Sequence, residues 1–254
     1  MNRKQTLNGK KIITMNSDSL FQLWARIGVN FPAFTPSAEE PLVEELVAQT
    51  SLTGRYEPRL MEGMTGWMAK HGDLVNTSLM HRYLSQGNSA VLGLVFDIVD
   101  TKQSVKLKQL LKYCTPAKKA EMLFYAAENS PTMKSEALAK ESAINEKWNL
   151  YYVSLRIKTD AVFERKEILK HNPNLARRAL FGAGMRTEIL NYLLAKGTSF
   201  PAEIAGDLGY RYHRIIEDIQ GLIRDGAVED RHSAKKRILK ISPAFEKYLN
   251  VLPW

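Results

Sequence analysis

A chain of 254 residues with 44% hydrophobic and 25% charged side chains has the composition of a folded globular protein and is long enough for one large domain or two. Its single cysteine, Cys114, excludes an internal disulfide and a cysteine-rich metal site, and the apolar run before it favours a buried, inert thiol. No run approaches the roughly eighteen apolar residues that span a membrane. The polar start lacks the hydrophobic core of a signal peptide, so we expect a cytoplasmic protein with no membrane partner.

The net charge of +9 is unevenly distributed along the chain. Residues 1–99 contain nine cations and nine anions, residues 100–185 sixteen cations and nine anions, and residues 186–254 eleven cations and nine anions. The excess therefore lies mainly in the middle of the chain. It either adds salt-dependent, non-specific attraction to DNA or is a set of solvated helix surfaces.

Residues 1–147 are predicted to form an irregular helical bundle that serves in dimerisation, sensing or partner binding. After a tail or edge strand over residues 1–16, apolar side chains recur at helical spacing, and Ser37 with Glu40 resembles a capping box. No fixed period recurs, which disfavours a solenoid of repeats. Helices are predicted over residues 20–27, 37–48, 58–71, 78–84, 89–99, 103–113, 117–129 and from 130 towards 148.

Residues 148–184 are predicted to form an extended segment and a connecting helix. The run 148–157, WNLYYVSLRI, is rich in aromatic and β-branched residues, which is typical of a strand that pairs with an edge or lines an interface. A helix follows, and a second one over 175–181 carries Arg177 and Arg178. These two arginines are candidates for phosphate contacts or ordinary surface residues.

Residues 185–254 have the pattern of three short helices and a two-stranded hairpin. Glycines follow the predicted helices, as expected at helix C-termini, and Pro201 suits a first helical turn. A turn with basic neighbours separates the two strands. The helices are predicted over residues 186–195, 201–208 and 212–225, and the strands from Val228 and over residues 237–241.

The segments AEIAGDLGY (202–210) and IIEDIQGLIRDGAVED (215–230) resemble the winged helix-turn-helix of bacterial transcriptional regulators. In that family a short helix ends in Leu-Gly and a longer helix ends in Leu-x-x-x-Gly-x-Val. The resemblance implies a mainly α protein, in which an N-terminal irregular helical bundle precedes a C-terminal winged helix-turn-helix with a small β-hairpin. The domain over residues 185–254 is then expected to bind double-stranded DNA.

In such a domain the third helix enters the major groove and presents side chains to base edges, while a basic wing contacts the backbone. Arg211 and Arg214 offer bidentate forks to guanine or to phosphate, and Glu217 can accept a hydrogen bond from cytosine. The residues predicted to read DNA are Arg211, Tyr212, His213, Arg214, Glu217 and Gln220. The predicted wing contacts are Arg231, Lys235, Lys236 and Arg237.

The sequence contains no convincing catalytic motif. Gly182 and Gly184 lack the third glycine and the preceding strand of a dinucleotide site, and there is no phosphate-binding loop, nucleophile elbow, HExxH or Cys-x-x-Cys. His71 and His81 have no third metal ligand at suitable spacing. We therefore expect a protein that is not an enzyme and holds no metal or cofactor.

Two functions from different classes fit these patterns. The first is a sequence-specific transcriptional regulator, which as a homodimer would bind palindromic half-sites. The alternative is an antitoxin-like or adaptor subunit with a protein partner, because similar winged-helix proteins occur as partners of nucleotidyltransferase-like toxins. An exposed Ile216, the acids Glu217 and Asp218, and the aromatic run 148–152 motivate this alternative.

Overall fold

Most of the chain is helical in the computed structural model, which confirms a mainly α protein. The chain divides into two units, Met1–Asn172 and Pro173–Trp254. The first unit includes most of segment 148–184, whereas the helix over 173–181 belongs to the second. No helix of the described residues has the length and apolar character needed to cross a membrane. The structure describes residues 4–7, 10–13, 15–140, 142–152, 155–233 and 236–251.

The first unit begins with two antiparallel strands and continues mainly as helices. The strands are β1 (Lys4–Leu7) and β2 (Lys10–Ile13). The next helices are α1 (Ser17–Arg26), α2 (Val43–Thr53), α3 (Pro58–His71), α4 (Thr77–Tyr83) and α5 (Ser89–Ile98). Turns of 3-10 helix cover Gly72–Leu74, Leu84–Gln86 and Val105–Tyr113. The remaining elements are β3 (Glu121–Met122), α6 (Tyr125–Glu128), α7 (Pro131–Ala139), α8 (Ala143–Trp148), β4 (Leu150–Tyr151) and α9 (Arg165–His171).

Two tryptophans lie at the centre of the first unit, where α1, α2 and α3 pack together. Trp24 and Trp67 are fully buried with ring centroids 5.9 Å apart. Each indole N–H finds an acceptor, the hydroxyl of Thr50 at 2.8 Å and the carbonyl of Ile27 at 2.9 Å. Burying such large rings with their polar atoms satisfied stabilises this unit.

The helix predicted from Ser37 begins only at Val43. The hydroxyl of Ser37 accepts from the backbone N–H of Glu39 at 3.1 Å, which makes a local turn rather than a helix cap. Pro41 explains the difference, because a proline disfavours helical backbone at the residue before it. The capping-box prediction is therefore wrong.

The helix predicted over 117–129 is also wrong, since only Tyr125–Glu128 is helical. Instead, β3 pairs in parallel with β4, with Glu121 opposite Leu150. The guanidinium of Arg55 fixes this region by donating to the carbonyls of Met122 at 2.7 Å and Leu123 at 3.0 Å. Long-range partners thus replace the local hydrogen bonds that the helical pattern favoured.

The run that begins at Trp148 is not an exposed aromatic surface. Trp148 ends α8 and is only 2% exposed, and its ring lies against the backbone of Gly93 on α5. Its indole N–H donates to Asp97 at 2.6 Å. Of the predicted strand, residues Leu150–Tyr151 form β4, whereas 153–154 lie outside the described residues.

The second unit folds around a separate core of aliphatic side chains. Its elements are α10 (Pro173–Phe181), α11 (Met185–Lys196), β5 (Thr198–Ser199), α12 (Pro201–Leu208), α13 (Tyr212–Arg224), β6 (Val228–Ser233), β7 (Lys236–Ile241) and α14 (Pro243–Val251). The strands form an antiparallel sheet in the order β5-β7-β6. The fully buried core members are Ile189, Leu193, Ile204, Ile215, Ile219 and Leu239.

Two elements of the second unit are absent from the sequence prediction. The strand β5 is only two residues long and is defined by its pairing with β7. The helix α14 follows Ser242, whose hydroxyl donates to the carbonyl of Gly226 at 2.6 Å and accepts from the N–H of Phe245 at 3.2 Å. Ser242 therefore caps α14 and ties it to the end of α13.

Candidate nucleic-acid interface

The turn between α12 and α13 determines how α13 is presented. Gly209 adopts a left-handed conformation with φ of 63°, which glycine tolerates without strain. The N–H of Tyr210 then bonds back to the carbonyl of Ala205 at 2.9 Å and closes α12. The carbonyl of Arg211 accepts from Arg214 and Ile215, so α13 begins directly after this tight turn.

One side of α13 is buried and the other is open to solvent. Ile215, Ile219 and Leu222 form the buried side, at the spacing of one helix face. All six residues predicted to read DNA are exposed. They are Arg211, Tyr212, His213, Arg214, Glu217 and Gln220.

At about 100° per residue, the positions opposite the apolar stripe fall on a single line. This outward line consists of His213, Glu217, Gln220 and Arg224, and Arg214 lies beside it. Arg224 is absent from the predicted set, although its side chain is 78% exposed. The same helical spacing identifies it, since it is seven residues beyond Glu217. Ile216 lies at the flank of this face and is half-buried.

The acids of α13 do not share one face. Asp218 points towards α11, where Arg186 reaches its carboxylate at 3.4 Å and that of Asp225 at 3.1 Å. The guanidinium of Arg186 lies over Gly221, where a β-carbon would be 2.2 Å from a guanidinium nitrogen. Glu217 therefore remains as the one outward acid of the described helix.

Glu217 lies 3.8 Å from Arg214, and the two side chains are 71% and 66% exposed. An ion pair of this kind between exposed groups contributes little to stability. Either side chain can therefore leave the pair and bind another group with little loss of free energy. The outward line of α13 thus combines one anion with the cations Arg214 and Arg224 and the polar groups of His213 and Gln220.

The hairpin formed by β6 and β7 carries the cations predicted to contact the DNA backbone. Arg231 is exposed and lies 3.2 Å from Glu229, whereas the half-buried Arg237 is held by Asp230 at 2.8 Å. Lys235 lies outside the described residues. Lys236 begins β7, but its side chain is outside the described part of the chain.

Of the two arginines of α10, Arg178 is too deeply buried to contact phosphate. Arg178 is 4% exposed, and its Nε donates to the carboxylate of Glu188 on α11 at 2.8 Å. Arg177 is half-buried and donates to the side-chain amides of Asn174 and Asn191. Both guanidinium groups thus bond to groups within the second unit, and Arg178 forms a buried ion pair.

Two side chains with potential for chemistry lie in the first unit. Burial raises the pKa of the Cys114 thiol to about 12, which makes it unreactive at neutral pH although it is only partly buried. His71 is buried beside the carbonyl of Phe163, 3.0 Å from its Nε2. Among the described residues, no group of three or more His, Cys, Asp or Glu side chains is arranged to hold a metal ion.

Comparisons with protein-family models, curated proteins and solved structures each return no significant match to this chain.

Proposed function

We propose that residues 185–254 form a winged helix-turn-helix domain that binds double-stranded DNA, and that the protein is a transcriptional regulator rather than an enzyme. The observation that carries this proposal is the outward line of α13. This line is solvent-exposed over its whole length and polar or charged at every position. The second acid of α13, Asp218, lies outside this line and pairs with Arg186.

The order of elements supports the same assignment. A helix, a short strand, two further helices and a two-stranded hairpin follow one another from α11 to β7, and β5 completes the sheet. This is the order expected for a winged helix-turn-helix, with α13 as the recognition helix and the hairpin β6–β7 as the wing.

In the proposed complex, α13 lies in the major groove. His213, Arg214 and Gln220 reach base edges, and a guanidinium such as that of Arg214 binds guanine through two hydrogen bonds. Glu217 accepts from the amino group of cytosine. Arg224, at the far end of the helix, and Arg231, on the hairpin, contact phosphates and fix the register without reading sequence.

The first test uses the unmodified protein and the DNA upstream of its own gene. We expect tighter binding to this duplex than to a shuffled duplex of equal length, by a factor of about a thousand or more. Affinity for both should fall steeply with salt, because binding releases counterions. Equal affinity for the two duplexes at two salt concentrations would contradict sequence-specific binding.

A second candidate function, binding to a protein partner, is favoured by an apolar patch on the second unit. Leu180, Phe181 and Tyr248 are 55%, 40% and 54% exposed, and the rings of Phe181 and Tyr248 each lie about 6 Å from that of Phe245. Exposed clusters of this kind mark interaction surfaces. The partner is either a second copy of the chain or, in the antitoxin-like alternative, a different protein.

Light scattering distinguishes the occupants of this patch. If the patch joins two copies, the mass in solution is that of a dimer and Phe181→Ser/Tyr248→Ser lowers it to that of a monomer. If the parent protein and the double variant both have the mass of a monomer, the patch does not join two copies of the chain.

A further inference from the structure

A lysine-rich segment of the first unit carries most of the positive excess in the middle of the chain. Residues 101–120 contain six lysines and no Asp or Glu. Within this segment, Val105–Tyr113 forms a 3-10 helix of nine residues. Runs of more than three or four residues in this conformation are uncommon. Base reading by α13 does not use the segment, so its charge requires a separate explanation.

The 3-10 helix turns one line of side chains inward. Because it has three residues per turn, side chains three positions apart lie on one line. The inward line consists of Ser104, Leu107 and Leu110, none of which is more than 2% exposed. The two residues between successive members of this line are exposed. The helix therefore presents two outward lines to a partner, while these two leucines stay buried.

Lysines occupy both outward lines. Lys106 and Lys112 share one line with Gln109 and are two turns apart, which is about 12 Å at a rise of about 2 Å per residue. Lys108 lies on the other line, and Lys102 is exposed just before the helix begins. We call four side chains the lysine ridge: Lys102, Lys106, Lys108 and Lys112. They are spread along the helix rather than gathered at one point.

Most of the charge of the lysine ridge is not neutralised. Among the described residues, Lys108 is the one member with an ion pair, to Asp100 at 2.8 Å. The next acid along the chain, Glu121, is paired with Arg55 at 3.1 Å. Neither acid is therefore left to neutralise the other three lysines. Exposed ammonium groups in such a row attract anions.

The surroundings of the lysine ridge favour a nucleic acid over a membrane or a protein. A helix that lies on a bilayer inserts an apolar face, but here Leu107 and Leu110 are buried in the protein and Val105, 57% exposed, is a single small side chain. Protein interfaces are depleted of lysine and depend on aromatic and arginine anchors. A nucleic-acid backbone, by contrast, contacts several lysines of a row and releases counterions for each phosphate that they neutralise.

Tyr113 favours a duplex over a single strand. Single-stranded nucleic acids bind by stacking their bases on exposed aromatic rings. The ammonium of Lys112 lies 4.9 Å from the centroid of the Tyr113 ring, and His81 packs edge-on against the same ring at 4.1 Å. The ring is therefore already in contact with two side chains. A cation–π contact at an exposed site is weak, and the ammonium keeps N–H donors for a phosphate.

We propose that the lysine ridge binds the phosphate backbone of a nucleic-acid duplex without reading its sequence. Lysine binds phosphate as a point charge and lacks the planar fork with which arginine recognises guanine. Contacts to phosphate position a protein on a duplex but carry no sequence information. This surface lies in the first unit, and the proposal does not depend on base reading by α13.

The test is titration of a fluorescent DNA duplex of arbitrary sequence with the full chain carrying Arg211→Ala/Arg214→Ala, so that failure of base reading by α13 does not affect the result. Adding Lys102→Gln/Lys106→Gln/Lys112→Gln should weaken binding at least tenfold. The slope of log affinity against log salt should fall by about two to three, because each phosphate contact contributes about 0.9. Absence of binding before the lysines are changed overturns the proposal. An RNA duplex of the same sequence, titrated alongside, distinguishes the two kinds of duplex.

The matched control is Lys134→Gln/Lys166→Gln/Lys247→Gln in the same background, which removes three exposed lysines outside the lysine ridge. Its salt slope should change by less than about one. Equal losses in the two triple variants would assign binding to the overall charge and overturn the proposal. Tighter binding to the single strand than to the duplex, or binding to phosphatidylserine vesicles that needs the same lysines, would also overturn it. Circular dichroism before titration confirms that each variant is folded.

Discussion

At the scale of single residues, a buried ion pair joins Arg178 of α10 to Glu188 of α11. Both side chains are less than 10% exposed. The sequence offered Arg178 as a surface arginine because its partner lies ten residues away on another helix, and no local pattern joins them. Charge in a sequence predicts a surface position only when no buried partner exists.

Removing one partner of this pair should destabilise the second unit strongly. Arg178→Ala leaves the Glu188 carboxylate buried without its cation, which costs about 3–5 kcal/mol. Denaturant unfolding of the full chain measures this loss. Replacement of both residues, Arg178→Met/Glu188→Leu, should recover most of the lost stability. If Arg178→Ala is about as stable as the parent protein, the ion pair does not stabilise the second unit as the structure indicates.

The stability of the first unit should depend on pH through His71. Burial lowers the pKa of His71 below 6.5, and Arg165 and Lys70 lower it further. The unfolded chain therefore takes up a proton near pH 6.5 that the folded chain excludes. Stability should fall as the pH drops below about 6.5, by at most about 1.4 kcal/mol per pH unit, until the folded pKa is passed.

His71→Gln is the matched control for this pH dependence. The amide retains a donor for the carbonyl of Phe163 but cannot be protonated. Denaturant midpoints between about pH 7.5 and about pH 5.5 should therefore change less in this variant than in the parent. If the denaturant midpoints of the parent and of His71→Gln change equally with pH, groups other than His71 cause the pH dependence.

At the scale of elements, periodicity predicted those helices whose apolar stripes face a core. The helix over Pro58–His71 has the bounds that the sequence predicts, and α13 differs by one residue at its end. The pattern failed over 117–129, where pairing with β4 and the guanidinium of Arg55 decide the backbone. Such long-range partners leave no periodic signal in the sequence.

The packing of α5 on α8 depends on a glycine that periodicity does not identify. A β-carbon at Gly93 would lie 2.3 Å from the ring of Trp148, and the indole is held in place by Asp97. Gly93→Ala should therefore destabilise the first unit by about 1–3 kcal/mol through overpacking. Thermal or denaturant unfolding of the full chain measures this change.

The control for this substitution is Gly206→Ala in α12. A β-carbon there meets no atom within 4 Å, so the alanine should stabilise its helix by about 0.5–1 kcal/mol. If Gly93→Ala also proves neutral or stabilising, the close contact between α5 and the indole is not as the structure describes it.

The candidate interface shows the same division between what the sequence reveals and what it does not. The exposure of Arg211 to Arg214 follows from helical spacing alone, as does that of Arg224. The orientation of Asp218 away from this face does not follow from spacing, because it depends on Arg186 from a preceding helix. The pairing of Arg237 with Asp230 likewise appears only when the two strands are placed side by side.

At the scale of the whole molecule, the net charge of +9 attracts any polyanion. Weak binding to DNA is therefore expected from charge alone and cannot distinguish a sequence reader from a cationic surface. The central claim is that α13 reads bases with its exposed face, which begins with the exposed Arg211 and Arg214. A direct test must change that face, and the comparison protein must keep it while losing the same number of charges.

The most direct measurement is fluorescence anisotropy of the upstream duplex with Arg211→Ala/Arg214→Ala and with Lys166→Ala/Lys247→Ala. Both double variants lose two exposed cations, but only the first changes the start of α13. We predict that the first loses at least about tenfold in affinity and most of its preference over shuffled DNA, while the second keeps that preference. Equal, small losses in the two variants would contradict base reading by α13.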